Sequence, residues 1–155
     1  MLSRTAENLY WTARYIERAD SIARLLEVAY RIHLIPNTTE GYQNEWGSIL
    51  AAAGIKQNYL NNYNEITKNK IEYFLLFDPN NSSSVKACIE NARNNLKMVR
   101  TAVTLEVWNS VNTWYHELTD YNKEKYDSKN LPQILDWIKK QVNLIKGTIN
   151  NTQLI

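Results

Sequence analysis

Glycine and proline are scarce, at four and three of 155 residues. That argues against sandwiches and other architectures that turn every few residues, and leaves the apolar residues at helical spacing to define the fold. The single cysteine, Cys88, excludes an internal disulfide and a cysteine-based metal set. Flanked by Ala87 and Ile89 in an expected helix, it reads as a small buried hydrophobe. No apolar run approaches the roughly 18 residues of a membrane span, and the N-terminus lacks a basic segment followed by an apolar run and a small-residue cleavage site. A soluble, cytoplasmic protein without membrane contact is expected. The net charge is only +2, and no tract gathers five or more basic residues, so nucleic-acid binding has no support. Also missing are a glycine-rich phosphate loop, a Gly-x-Ser-x-Gly elbow and any His-Glu-x-x-His or Cys-x-x-Cys set, the mechanical parts of nucleotide, acyl-hydrolase and metal chemistry. His33 and His116 stand far apart, and no metal or cofactor is expected.

What is present predicts one all-α domain, a helical bundle of about five to six helices with a long N-terminal helix. The length suits a single core burying roughly two-thirds of the unfolded surface, and ten Tyr with five Trp supply volume for it. The first helix starts at Ser3 and stops before Pro36. At about 100° per residue, Leu9, Ile16 and Ala23 share one sector while Ile22, Leu26 and Ala29 fall near Arg4, Asn8 and Arg18. A helix apolar on several sides is expected to bury Arg14, Glu17 and Arg18 against neighbouring helices.

A second helix from about Tyr42 to Ala53 is expected to end at Gly54. Ile55 to Asn64 reads as a short helix or turn, and a further helix from about Asn64 ends at Asp78-Pro79. Asn80 to Ser84 offers N-caps for a stripe through Val85, Ile89, Ala92, Leu96, Val99 and Val103. Another helix spans Leu105 to Leu118, Asp120 to Asn130 reads as a loop, and Leu131-Pro132 opens a last helix. Gly147 is expected to end that helix and the domain, 1–147, leaving 148–155 as a frayed tail.

Three groups could carry chemistry. Arg14 and Arg18, one turn apart, present forked donors that match carboxylate or phosphate; Glu17 could equally pair with Arg14, and Asp20 with Arg24, as structural ties. Asp78 to Ser84, with Ser83, could hold an anion at a helix N-terminus or merely cap itself. Arg93 and Arg100, seven residues apart on the helix that follows, share one face with Lys97. Glu106 sits in a first turn, where the helix dipole favours a carboxylate whatever its role.

The string Leu2-Ser3-Arg4-Thr5-Ala6-Glu7-Asn8-Leu9-Tyr10-Trp11, followed by Arg14 to Asp20 and Ala23-Arg24-Leu25-Leu26, resembles the opening of the bacterial alpha-E domain family. Asp78, Asn80 to Ser84, Ala92 to Asn95, Val99-Arg100, Glu106-Val107-Trp108 and Asn112 resemble its serine-containing turn and the two helices after it. The chain departs from that pattern at Asn94, where Glu is usual, and at Leu96-Lys97, where Ala-Arg is. Members are usually about twice this length, and Gly147 to Leu154 resembles the junction between their halves, so the resemblance implies an N-terminal half or truncated member. It further implies a helical protein keeping company with a circularly permuted ATP-grasp ligase and transglutaminase-like peptidases. The expected function is therefore an accessory or recognition subunit, with Arg14, Arg18, Arg93 and Arg100 contacting carboxylate or phosphate and Asn8, Ser83 and Glu106 positioning them. One alternative is an enzyme acting on a peptide-like substrate, with Glu17 or Glu106 as general base in a buried Arg/Glu cluster. Another is a scaffold that self-associates as a homodimer.

Overall fold

The computed structural model describes residues 2–36, 38–124 and 130–153. Leu2–His33 forms one unbroken helix, α1, roughly 48 Å long at 1.5 Å per residue. Its buried stripe is Thr12, Ile16, Ala19, Ala23 and Leu26, a 4-3-4-3 spacing that keeps one side inward over four turns. The small side chains of Ala19 and Ala23 let a neighbouring helix approach closely.

Three shorter helices follow: α2 (Thr39–Ala52), α3 (Lys56–Asn62) and α4 (Lys68–Leu76). Three longer ones then complete the bundle: α5 (Val85–Met98), α6 (Leu105–Glu124) and α7 (Leu131–Gln153). A 3₁₀ turn at Arg100–Ala102 separates α5 from α6. Among the described residues there is no strand. Helices α1, α5, α6 and α7 pack in a ring, each touching the next, while α2 and α4 lie against α1. Two ion pairs fix the direction of α7 on α1. Lys139 reaches Glu27, and Lys146 lies 3.9 Å from Asp20; the numbers rise by seven on one helix as they fall by seven on the other, so the two run antiparallel.

The all-α architecture with a long first helix is as expected, with seven α-helices among the described residues because Lys56–Asn62 closes as a helix rather than a turn. Gly54 ends α2 as foreseen, at φ +73°. Its amide donates to Ala51 O and that of Ile55 to Leu50 O, the paired bonds that close a helix through a left-handed residue. Ser84 Oγ accepts from the Ala87 amide at 3.1 Å and caps α5.

The stop before Pro36 and the starts at Leu105 and Leu131 also stand as expected, while other boundaries move. Thr38 and Thr67 cap α2 and α4 at positions the hydrophobic pattern alone does not mark. The stripe through Val99 and Val103 breaks into the 3₁₀ turn instead of extending α5. α6 continues past Leu118 to Glu124, through the start of the expected loop; 125–129 lie outside the described residues. Gly147 does not end α7. Gly147 lacks the positive φ that Gly54 has, Thr148 beyond it is buried, and Ile149 packs on the core. That apolar contact outweighs the roughly 1 kcal/mol that glycine costs inside a helix. Of the expected tail, Thr148 to Gln153 is helical, while Leu154 and Ile155 lie outside the described residues.

Candidate functional site

One step around α1 from its buried stripe runs a second one: Trp11, Tyr15, Arg18, Ile22 and Leu25, again at 4-3-4-3 spacing. A guanidinium interrupts it at its centre. These five side chains, with Arg14, Glu17 and Ser21 beside them and Ala52 and Ala53 at the end of α2 opposite, line a groove of about 650 Å³, within the ~300–1,000 Å³ typical of small-ligand clefts. Trp11 and Tyr15 are tilted ring neighbours, 6.2 Å between centroids.

The charges of this groove are not buried between helices as expected. The side chains of Arg14 and Glu17 are 58% and 55% exposed and meet at 3.5 Å. Arg18 is also exposed. The physical reason is that α5 and α7 cover two flanks of α1, while across the groove from Arg14, Glu17 and Arg18 stands the end of α2. Arg18 has no ion-pair partner among the described residues, unlike Arg24 and Arg31, which pair along the helix with Asp20 and Glu27 at 3.1 and 3.0 Å. Its charge reaches inward electrostatically as far as Cys88 on α5, opposing the burial that pushes this thiol up to about 12. Asn8, near the start of α1, donates to its own helix at Arg4 O.

The second arginine pair has a different setting. Arg93 Nε donates to Asn112 Oδ1 at 2.8 Å, and its guanidinium carbon lies 4.7 Å from the Tyr115 ring centre and 5.7 Å from that of Trp108. Arg100 reaches the same indole at 5.2 Å. Trp108, Asn112 and Tyr115 stand at i, i+4 and i+7 on α6, so they form one ridge that meets Arg93 from α5 and Arg100 from the 3₁₀ turn after it. Glu106 is exposed and lies about 200° around α6 from Trp108, so it does not join them.

The Asp78 to Ser84 turn uses its polar groups on itself. Asp78 accepts from the Asn80 amide at 2.9 Å and from the Tyr63 hydroxyl at 2.6 Å; burial, then this carboxylate, push the Tyr63 pKa up. Asn81 donates to Phe74 O and accepts from the Ser83 amide. Ser83 is 7% exposed, and its carbonyl faces the Cys88 thiol at 3.7 Å.

The sequence candidates thus separate. Arg14, Glu17 and Arg18 share the groove, whereas Ser83, Arg93, Arg100 and Glu106 do not line it. The buried Arg/Glu cluster anticipated for an enzyme is an exposed one. Trp11, Tyr15, Ser21, Ile22, Leu25, Ala52 and Ala53 were not foreseen as site residues. The signal for Trp11, Tyr15, Ile22 and Leu25 was the stripe that Arg18 interrupts; nothing in the sequence pairs Ala52 and Ala53 with it. Among the described residues, no group of three His, Cys, Asp or Glu side chains could hold a metal ion, and no helix is long and apolar enough to cross a membrane.

Neither a curated protein nor a solved structure matches the chain. Residues 1–154 match the Alpha-E family, described as a predicted α-helical domain with a conserved ER motif. Glutamate is followed by arginine only once in the sequence, at Glu17-Arg18, in the wall of the groove. With the match spanning essentially its whole length, the chain belongs to the Alpha-E family.

Proposed function

We propose that this chain is a recognition or accessory subunit that works beside an ATP-grasp-type peptide ligase, holding a carboxylate-bearing peptide in the Glu17-Arg18 groove. The observation that carries the reading is Arg18, an exposed guanidinium without an ion-pair partner among the described residues, standing inside a stripe of aromatic and aliphatic side chains. A forked donor of this kind matches a carboxylate through two parallel hydrogen bonds. The apolar surface on either side would hold the body of the ligand, and the few polar groups would orient it, the usual division of labour in a small-ligand cleft. The ligase partner comes from the family resemblance alone.

Size-exclusion chromatography of this chain with the ATP-grasp ligase of the same organism tests the reading. A co-eluting complex that ligase substrate tightens, and that Arg18→Glu weakens, is the expected result; separate elution at tens of micromolar would overturn the accessory role. Glu17 in the same groove favours a second reading, an enzyme acting on a peptide-like substrate with this carboxylate as general base. Turnover by the isolated chain that disappears in Glu17→Gln and persists in Glu106→Gln would replace the first reading with the second.

A further inference from the structure

We infer that the groove takes a short peptide as a zwitterion, its terminal carboxylate on Arg18 and its terminal ammonium between Glu17 and the C-terminal end of α2. The inference rests on the recognition reading above and adds the second charge of the ligand. Arg18 and Glu17 supply opposite charges one residue apart on α1, so their side chains diverge by about 100° around the helix. Among the described residues the Glu17 carboxylate is held by one ion pair, the 3.5 Å contact with Arg14, between two side chains each more than half exposed. A pair that open to water is worth little and separates readily.

The wall opposite strengthens the negative side. α2 has 14 residues and ends at the groove. Its closing turn uses the carbonyls of Ile49, Leu50 and Ala51, which accept from Ala53, Ile55 and Gly54. The carbonyls of Ala52 and Ala53, two residues that line the groove, accept no backbone bond of the closing turn among the described residues. A helix end carries the equivalent of roughly half a negative charge and favours a cation. The nearest lysine in sequence, Lys56, does not neutralise it: its ammonium lies back along α2, 3.6 Å from where a side chain on Gly47 would start.

This distribution selects among ligand classes. A dicarboxylate would satisfy Arg18 but would have to draw Arg14 away from Glu17, leaving that carboxylate uncompensated beside the end of α2. A polyamine would suit that end and meet Arg18. A peptide with both termini ionised satisfies both, and its side chains can lie on Trp11, Tyr15, Ile22 and Leu25.

The test is titration of the full chain with Ala-Phe and Ala-Ala-Phe, each free, N-acetylated and C-amidated, followed by ¹H–¹⁵N NMR. Saturable shifts at the Trp11 indole and the Ala52–Gly54 amides are expected for a free peptide, and either block should weaken its binding at least tenfold. Arg18→Gln should make acid and amide bind alike, and Glu17→Gln should do the same for free and acetylated amines. Both side chains are exposed, so both variants fold. Acetylated peptides that bind as well as free ones would overturn the zwitterion and leave carboxylate recognition standing. No saturable shift with either free peptide, or shifts unchanged in Arg18→Gln, would overturn the ligand assignment, whatever the outcome with the ligase.

Discussion

Arg18 and Arg93 are the same residue on two helices that pack against each other, and their surroundings put them to different uses. Arg93 donates through Nε to Asn112, and its guanidinium lies against the rings of Trp108 and Tyr115, so all three of these contacts tie it to α6. Arg18 keeps its fork exposed among apolar side chains that it does not fasten to any partner helix. Residue type and helical spacing do not separate the two. What separates them is whether the neighbouring element arrives with aromatic rings and an amide, as α6 does, or with the bare end of a helix, as α2 does. The first arrangement holds the bundle together; the second leaves a guanidinium for something that is not part of the chain.

The largest expected break in this contrast is at the two tryptophans. Trp108 is 8% exposed and Trp11 45%. Trp108→Ala should lose about 3–5 kcal/mol in urea-induced unfolding, the range for deleting a buried aromatic, and Trp11→Ala at most about 1 kcal/mol. Equal losses would erase the distinction between a structural flank and a binding flank. Next comes Arg93→Met, which keeps much of the side-chain volume but removes the bond to Asn112 and the contacts with two rings; about 1–2 kcal/mol should be lost in the same measurement.

The flank of α1 that faces α7 gives a smaller effect, and it depends on pH. The hydrogen bond from Lys139 holds the Glu27 carboxyl below its ordinary value. A carboxyl lowered in the folded state stabilises the fold above its unfolded pKa, and that contribution fades as pH falls through the folded value. Glu27→Gln should therefore be less stable than the parent at pH 7, by about 1 kcal/mol or less for a partly exposed pair. The gap should close on acidification below about pH 4. Smallest of all is Arg18→Gln, expected to change unfolding by no more than about 0.5 kcal/mol. A loss as large as that of Arg93→Met would show that Arg18 also serves the bundle.

Much of the fold was legible because local signals and core demands agreed. The Ile16 and Ala23 sector of α1, without the Leu9 expected to extend it, the Ser84 cap and the left-handed glycine at the end of α2 each carry a mechanism that works within a few residues. Gly147 misled because the same residue terminates a helix only where the chain must turn, and here Thr148 and Ile149 have core to reach. The site was half legible. Arg14, Glu17 and Arg18 stood out as charges on a helix rich in apolar residues, but the expectation that they face other helices assumed neighbours on every side. Whether a flank is covered is decided by where α2 ends, and no periodicity within α1 contains that information. The same gap explains why Arg93 and Arg100 were grouped with them: their rings lie on α6, across a turn whose geometry is not written in α5.

Cys88 gives this architecture a built-in clock. The thiol is fully buried at the contact between α5 and the groove-bearing helix, and burial pushes its pKa up to about 12, so a thiol reagent in neutral solution meets neither an accessible sulfur nor a reactive thiolate. Modification has to wait for the helices to part. Because the chain has one cysteine, the labelling rate reports this opening alone, and its value with and without a bound peptide measures how far an occupant of the groove suppresses the separation of α1 from α5.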